Sequence, residues 1–318
     1  MQLPPIRIFL LCLCFCVSEA ETLTPIATLK ASGIVSDIAE EDGYLYVATD
    51  SGVVDIVDLT EQKIVRQIHF DPLLSATGEK TPVRIHSIDR LNGETLMVTS
   101  APDGYRHVWK EMNGTLTKVI DAKQHKMPKS AFFDFEGKIV MGTFGSDIMR
   151  YDTTDSFNLY ERHISESTMG GMTLDAKREK MVISDESGRV QLVDINSSKV
   201  LHLFDSEHVD NIYRVAYANN IIVTAGQDRR VGVYIGSERA YHIKSDFLVY
   251  SVAISPSGRT ALYSSGTEHY LQLFNPLTGT KGHILAGHHA TPNKILFLTE
   301  KAIISAGDEE NIYFWLLP

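Results

Sequence analysis

An alternation of apolar and polar residues recurs seven times along the chain, and each run ends in a large apolar residue before a turn. The run ends are Val57, Trp109, Tyr151, Val193, Tyr234, Phe274 and Trp315. Successive ends lie 52, 42, 42, 41, 40 and 41 residues apart. Alternation with a period of two predicts strands, and a repeat of about 40–45 residues is typical of a propeller with four-stranded blades. We therefore expect an all-β fold, a seven-bladed β-propeller.

Turn residues divide each repeat into short strands. The strands expected in the first repeat are 35–39, 44–49, 53–58 and 63–68. The next five repeats are expected at 85–120, 130–163, 169–204, 212–244 and 249–285. The seventh repeat lacks a fourth strand and has only 293–298, 302–305 and 312–316. Since segment 23–30 precedes the first blade and has no partner there, we expect it to complete the last blade, close the ring and cover an exposed strand edge.

Several repeats carry recognisable phrases. Residues 224–234 read TAGQDRRVGVY, and residues 305–315 begin with SAGD and end with FW. Three dipeptides stand where a Trp-Asp pair belongs in such a phrase, namely Val57-Asp58, Tyr151-Asp152 and Val193-Asp194. Over residues 21–318 these phrases resemble WD40 repeats, which implies a WD40-like propeller. Because most repeats lack the full Gly-His and Trp-Asp pairs of that family, we expect its buried His–Asp hydrogen-bond network to be absent.

The first twenty residues differ in composition from the repeats. Arg7 precedes an apolar run from Ile8 to Val17, and small residues then stand at the positions that a signal peptidase reads. We expect residues 1–20 to be a secretory signal peptide and residues 21–318 to be a single propeller domain. An uncleaved N-terminal anchor is the alternative.

Cysteine usage and net charge restrict the cellular compartments and the classes of partner that we expect. All three cysteines, Cys12, Cys14 and Cys16, lie inside the expected signal peptide, so the mature chain has no thiol for a disulfide or a metal. An exported chain without disulfides favours a bacterial periplasm. The net charge of −10 disfavours nucleic acid and anionic lipid as partners. No later segment is long and apolar enough to span a membrane.

The overall character of the chain adds a narrower resemblance. An exported, cysteine-free, WD40-like propeller of this size is similar to the NapL family of accessory proteins for bacterial periplasmic nitrate reductases. The resemblance implies a periplasmic role near nitrate respiration, with a respiratory enzyme or its maturation factors as protein partner.

Ligands and partners of a propeller are expected where loops enter the innermost strands, around the mouth of the central channel. The residues predicted at this mouth are Asp37, His86, Tyr213, Arg214, Tyr250 and Lys294. Arg214 and Lys294 are suited to hold an anion, whereas the two tyrosines are suited to stack on a ring or anchor a peptide. A solvated rim that binds nothing is the alternative.

Two long connections should lie on the same face. Segment 69–82 carries Leu73 and Leu74, and segment 121–129 is locally basic. Long loops on a rigid scaffold are common recognition elements, so we predict Leu73, Leu74 and Lys126 as partner contacts. Neutral insertions are the alternative explanation.

No nucleophile elbow or phosphate-binding glycine loop occurs in the sequence. The twelve histidines occupy unrelated positions in the repeats, so we expect no metal site and no cofactor. Acidic residues recur in the turns between second and third strands, at Asp50, Asp103, Asp147, Asp185, Asp228, Glu268 and Asp308. A lactonase-like enzyme would hold calcium with such groups, but turns favour Asp by themselves. We expect a non-catalytic interaction platform. A propeller that binds a small ligand or cofactor, and a lactonase-like hydrolase, are the alternatives.

Two glycosylation sequons begin at Asn113 and Asn196, and both follow the third strand of their blade. Each has an acidic residue two positions earlier, Glu111 or Asp194, a pattern that resembles the acceptor of some bacterial N-glycosylation systems. Chance turn composition is the alternative.

Overall fold

The computed structural model describes residues 21–74 and 77–318. Seven sheets in these ranges surround a central channel, so the seven-bladed β-propeller predicted from the repeat is confirmed. The core lies between neighbouring sheets, where alternate residues of each strand face the next blade. Val223 and Val233 of the fifth blade, for example, pack against Val252 and Tyr263 of the sixth. Each blade thereby buries both of its faces.

The chain begins with two strands that belong to later blades, β1 (Thr22–Leu23) and β2 (Ala27–Lys30). The strands of blade 1 are β3 (Val35–Glu41), β4 (Tyr44–Thr49), β5 (Val53–Asp58) and β6 (Lys63–His69). A small hairpin follows, made of β7 (Leu73–Leu74) and β8 (Lys80–Thr81). The strands of blade 2 are β9 (Ile85–Leu91), β10 (Glu94–Ser100), β11 (Arg106–Met112) and β12 (Thr115–Ile120). A single 3-10 turn then spans Ala122–Gln124.

The middle blades follow the same plan. The strands of blade 3 are β13 (Pro128–Phe133), β14 (Ile139–Thr143), β15 (Asp147–Asp152) and β16 (Phe157–His163). The strands of blade 4 are β17 (Met169–Leu174), β18 (Lys180–Asp185), β19 (Val190–Asp194) and β20 (Val200–Phe204). The strands of blade 5 are β21 (Ile212–Ala218), β22 (Ile221–Gly226), β23 (Arg230–Ile235) and β24 (Arg239–Lys244).

Two blades complete the ring. The strands of blade 6 are β25 (Val252–Ile254), β26 (Ala261–Ser265), β27 (Tyr270–Phe274) and β28 (Lys281–Leu285). The strands that blade 7 takes from the end of the chain are β29 (Pro292–Phe297), β30 (Ala302–Gly307) and β31 (Asn311–Leu316).

The predicted closure of the ring by the N-terminal segment is confirmed. Strand β2 pairs antiparallel with β31, with Ala27 opposite Phe314, and completes blade 7. The single strand expected over residues 23–30 is, however, two strands. Pro25 has no N–H to donate to a sheet, and it separates β2 from β1. Strand β1 instead adds to the outer edge of blade 6, parallel to β28.

The innermost strands are held to their neighbours by side chains that bond to backbone. Asp37 Oδ2 accepts a hydrogen bond from the backbone N–H of Ile88 at 3.0 Å, which joins blades 1 and 2. Asp89 Oδ2 accepts one from Phe133 at 2.7 Å, which joins blades 2 and 3. These contacts fix the separation of the strands that line the channel and orient the side chains at its mouth.

The expectation that the His–Asp network is absent is wrong for blade 7. Trp315 Nε1 donates to Ser305 Oγ at 2.8 Å, Ser305 Oγ donates to His288 Nε2 at 2.7 Å, and His288 Nδ1 donates to Glu309 Oε1 at 3.0 Å. Burial lowers the pKa of His288, which keeps the imidazole neutral and able to accept at Nε2. This network was not recognised in the sequence because Glu309 occupies the position at which WD40 repeats have Asp.

Blade 5 contains a second, partial network. His208 Nδ1 bonds Asp228 Oδ1 at 3.0 Å, and Thr224 Oγ1 bonds His208 Nε2 at 2.7 Å. Tyr234 occupies the strand position that Trp315 holds in blade 7. The network was missed in the sequence because Glu207, not glycine, precedes the histidine.

The predicted signal peptide, residues 1–20, lies outside the described residues. Within 21–74 and 77–318, no helix has the length and apolar character needed to cross a membrane.

Candidate functional site

The six residues predicted at the channel mouth lie together at one end of the channel, around two adjoining cavities. The first cavity, of about 160 Å³, is termed the cationic pocket, and its lining includes Asp37, Arg84, His86, Arg106, Lys129, Arg214 and Lys294. The second, of about 260 Å³, is termed the tyrosine pocket, and its lining includes Lys129, Asn211, Tyr213, Arg214, Tyr250 and Asn293. Lys129 and Arg214 line both cavities, so the two form one continuous site.

The cationic pocket concentrates positive charge in an acidic protein. Five of its lining side chains are Lys or Arg, whereas Asp37 is its one carboxylate. That carboxylate already has a partner, because Lys294 Nζ lies 2.5 Å from Asp37 Oδ1. Burial and the nearby Arg214 lower the pKa of Lys294 to about 8, against the opposing effect of Asp37. The remaining four cations have no carboxylate of this pocket to neutralise them.

Lys129 bridges the two cavities. Its Nζ donates to the backbone oxygen of Met169 at 2.6 Å and lies 5.2 Å from the ring centroid of Phe144. Burial, followed by repulsion from Arg214, lowers the pKa of Lys129 to about 8. The ammonium is therefore oriented by a neutral carbonyl and an aromatic ring, and it has no ion pair with the residues that the structure describes.

His86 supports Arg106 on the wall of the cationic pocket. Arg106 donates to His86 Nδ1 at 3.3 Å and to the backbone oxygen of Pro128 at 2.9 Å. Burial, Arg106 and Arg84 together lower the pKa of His86 to about 3, so the ring is neutral and its Nε2–H donates to Ser100 Oγ at 2.8 Å. Burial and Arg84 lower the pKa of Arg106 to about 10.

Arg214 is placed by a close approach of two innermost strands. A Cβ added to Gly171 would lie 3.1 Å from Arg214 Cα, and one added to Gly170 would lie 1.9 Å from the backbone oxygen of Ile212. Only glycine fits there. Within the part of the chain that the structure describes, the Arg214 guanidinium makes no hydrogen bond and no ion pair. Burial lowers the pKa of Arg214.

The tyrosine pocket adds a flat aromatic wall and two hydrogen-bond acceptors. Tyr213 and Tyr250 stack with ring centroids 5.5 Å apart and planes 11° apart. Asn211 Oδ1 and Asn293 Oδ1 are buried, and neither has a hydrogen-bond partner among the described residues. The orientation of Asn293 is determined, because its Nδ2 donates to Asp308 Oδ1 at 2.7 Å. Asn293 lines the pocket with an Oδ1 that keeps no hydrogen-bond partner among the described residues.

Apolar side chains are exposed on the loops around this mouth, and together they are termed the apolar rim. Its members precede innermost strands and are Ile34, Leu74, Val209 and Phe247. Val209 is 70% exposed and Leu74 is 58% exposed. The rim and the two pockets belong to the same face of the propeller.

The two loops predicted to contact a partner differ in which of their side chains are exposed. Leu73 and Leu74 form strand β7 of the small hairpin, with Leu73 half-buried and Leu74 exposed. Lys126 forms an ion pair, with its Nζ 2.6 Å from Glu161 Oε1 in the neighbouring strand β16, and its contact with a partner stays a prediction. The cation of this loop that faces the mouth is Lys129. Its position at the end of a locally basic segment, directly before an innermost strand, was the signal for it.

The two sequons lie in the turns between the third and fourth strands of blades 2 and 4, at the opposite end of the propeller. Asn113 is exposed at the β11–β12 turn, but the acidic residue Glu111 is buried and accepts from Arg66 at 3.1 Å. Asn196 is exposed, and its Oδ1 accepts from Arg150 at 2.8 Å. Modification of both asparagines stays a prediction, which the intact mass of protein from its native host would test.

Acidic groups offer little for metal chemistry. The structure places no three His, Cys, Asp or Glu side chains of residues 21–74 and 77–318 so that they could hold a metal ion. In the channel, Asp37 pairs with Lys294, and Asp89 pairs with Arg178 at 2.7 Å. Among the acidic turn residues, Asp103 accepts from the backbone N–H of Tyr105 at 3.1 Å within its own turn, whereas Asp228 bonds His208 and Asp308 accepts from Asn293.

Comparison with known proteins agrees with this WD40-like architecture. No family model matches the chain. The β-propeller domain of Cps50 (Swd1) from Myceliophteria thermophila superposes with a TM-score of 0.70 at 13% identity, over 92% of this chain and 99% of that one. Shk1 kinase-binding protein 15 of Schizosaccharomyces pombe is 22% identical over 205 residues. That match covers 64% of this chain and 55% of the relative, so the chain spans about half of its length.

Proposed function

We propose that this protein is an exported, non-catalytic platform that binds a protein partner on the face around its channel mouth. The observation that carries the proposal is the apolar rim around a cationic mouth. Exposed apolar side chains on the same face as half-buried, poorly compensated cations support a surface that a partner covers. The name of the Schizosaccharomyces pombe relative, a kinase-binding protein, supports a binding role.

The paired carboxylates of the channel support a binding role over a lactonase-like one. Asp37 and Asp89 are engaged by Lys294 and Arg178. A calcium ion would have to displace these cations, and a general base would need a carboxylate free to accept a proton.

Export is proposed from the composition of residues 1–20 and the absence of cysteine from residues 21–318. Cell fractionation and N-terminal sequencing test it, with mature protein beginning at Glu21 in the periplasm as the expected result. The association with nitrate respiration is the narrower prediction. Neither relative named above is described as an accessory protein of a nitrate reductase, so this prediction rests on the overall character of the chain.

Affinity capture tests the platform. The tagged protein is recovered from its native periplasm beside a Leu74→Asp/Val209→Asp variant and a Leu277→Asp control, whose side chain is 42% exposed at the opposite end of the propeller. We expect the same partner with the wild type and the control and its loss with the rim variant. Equal capture by all three proteins would reject this face as the docking surface.

A further inference from the structure

We propose that the channel mouth is an oxyanion site, which takes a carboxylate or phosphate group between Arg106, Lys129, Arg214 and Lys294. The favoured source is an acidic segment of a protein partner, in which case the inference rests on the proposed function. A free oxyanion is the other source, and then the site stands independently of any partner.

Half-buried and poorly compensated positive charge is the first reason. Removing a cation from water is costly unless an anion or several acceptors replace the solvent. Here Asp37 neutralises Lys294, whereas Lys129 has one carbonyl and Arg214 has no partner among the described residues. The same cost of desolvation lowers the pKa of Lys129 and of Lys294 to about 8. An oxyanion in this pocket would give Lys129 and Arg214 the anionic acceptor that they lack among the described residues.

The size and shape of the cavity are the second reason. The cationic pocket has a volume of about 160 Å³. One water occupies on the order of 30 Å³ in the liquid, so the pocket admits a carboxylate or phosphate group with a few waters. Arginine and lysine donors on several sides suit such an oxyanion, which can accept several charge-assisted hydrogen bonds together.

The tyrosine pocket indicates what the oxyanion is attached to. The free oxygens of Asn211 and Asn293 accept hydrogen bonds, so they match a ligand body that carries N–H donors. Tyr213 and Tyr250 provide an apolar surface beside them. A peptide segment with Asp or Glu has both parts: a carboxylate for the cationic pocket and backbone N–H groups for the two asparagines.

Binding of two probes to the purified protein tests the proposal. Inorganic phosphate and a short peptide of Glu and Gly are titrated calorimetrically at low ionic strength. The proteins are the wild type, Arg214→Met, Lys129→Met and a Lys301→Met control, which removes an exposed charge at the other end of the channel. We expect saturable binding that weakens at least tenfold in both mouth variants and is unchanged in the control.

The two probes separate the sources. Binding of the peptide in preference to phosphate identifies an acidic partner, and binding of phosphate identifies a free oxyanion. The absence of saturable binding by either probe would overturn the proposal, as would equal losses in Arg214→Met and Lys301→Met. Thermal unfolding of each variant verifies that it is folded. Capture of the wild-type partner by Arg214→Met would leave the platform standing and exclude an acidic segment of that partner as the source of the oxyanion.

Discussion

The His288 network of blade 7 and the cationic pocket both bury polar side chains, yet their hydrogen bonding differs. In the network every donor meets an acceptor, from Trp315 through Ser305 and His288 to Glu309. In the pocket, Arg214 meets none among the described residues. A satisfied buried network stabilises one conformation. A half-buried cation without an acceptor from the protein lowers stability, and a ligand that supplies the acceptor regains that free energy. The comparison indicates a structural role for the blade 7 network, and it supports the binding role that we propose for the mouth.

The largest effect is expected from breaking the network at its acidic end. Glu309→Ala leaves His288, Tyr313 and Asn311 without their shared acceptor, and we expect a loss of about 3 kcal/mol in the free energy of unfolding. Urea denaturation measures it. The neighbouring Glu310→Ala is the matched control, because it removes only an ion pair with the exposed Lys30. Equal losses in the two variants would contradict the role given to the network.

Acid should remove the same stabilisation. Burial acts to raise the pKa of Glu309, but hydrogen bonds from His288, Tyr313 and Asn311 outweigh it and hold the pKa at about 2. An unfolded glutamate has a pKa of 4.5. The network's contribution is therefore complete above pH 4.5 and is lost as the pH falls towards about 2. The difference in unfolding free energy between wild type and Glu309→Gln should narrow over that interval, and a constant difference would argue against it.

Raising the pH should increase the free energy of unfolding through two lysines at the channel mouth. Lys129 and Lys294 have pKa values of about 8 in the folded protein and 10.5 as ordinary lysines. Between these values the unfolded chain holds more protons, so the free energy of unfolding should rise with pH. Affinity for an oxyanion should fall over the same interval. Lys294→Met should show a smaller rise, and an identical pH profile would contradict the assignment.

The smallest effect is expected from removing the unpartnered cation. Arg214→Met keeps the apolar stem and removes a guanidinium that repels Lys129 and Lys294. We expect the free energy of unfolding to stay constant or to rise by up to about 1 kcal/mol, although the residue lines a buried site. Calorimetric melting measures it. A clear loss of stability would show that Arg214 serves the fold and would weaken the comparison.

Local pattern determined the architecture of this protein. The alternation of apolar and polar residues in a strand is visible in its own sequence, as are the turn residues that flank it. Seven repeats of about 40–45 residues therefore predicted seven blades. The missing strand of the last repeat predicted closure by the N-terminal segment. Aligning the repeats also predicted where Asp37, Arg214 and Lys294 lie, since equivalent positions of a propeller face the same channel.

Only the tertiary structure decided which polar groups are partnered. Lys126 and Lys129 belong to one basic loop, yet the first pairs with Glu161 and the second faces the mouth. Arg106 lies at the start of β11, the third strand of blade 2, and lines the pocket. In the hydrogen-bond network of blade 7, Glu309 occupies the position where Asp was expected. These outcomes depend on neighbours from other blades, tens of residues away in the sequence. Residue type and spacing determine the strand, whereas the balance of donors, acceptors and charge is determined where distant strands meet.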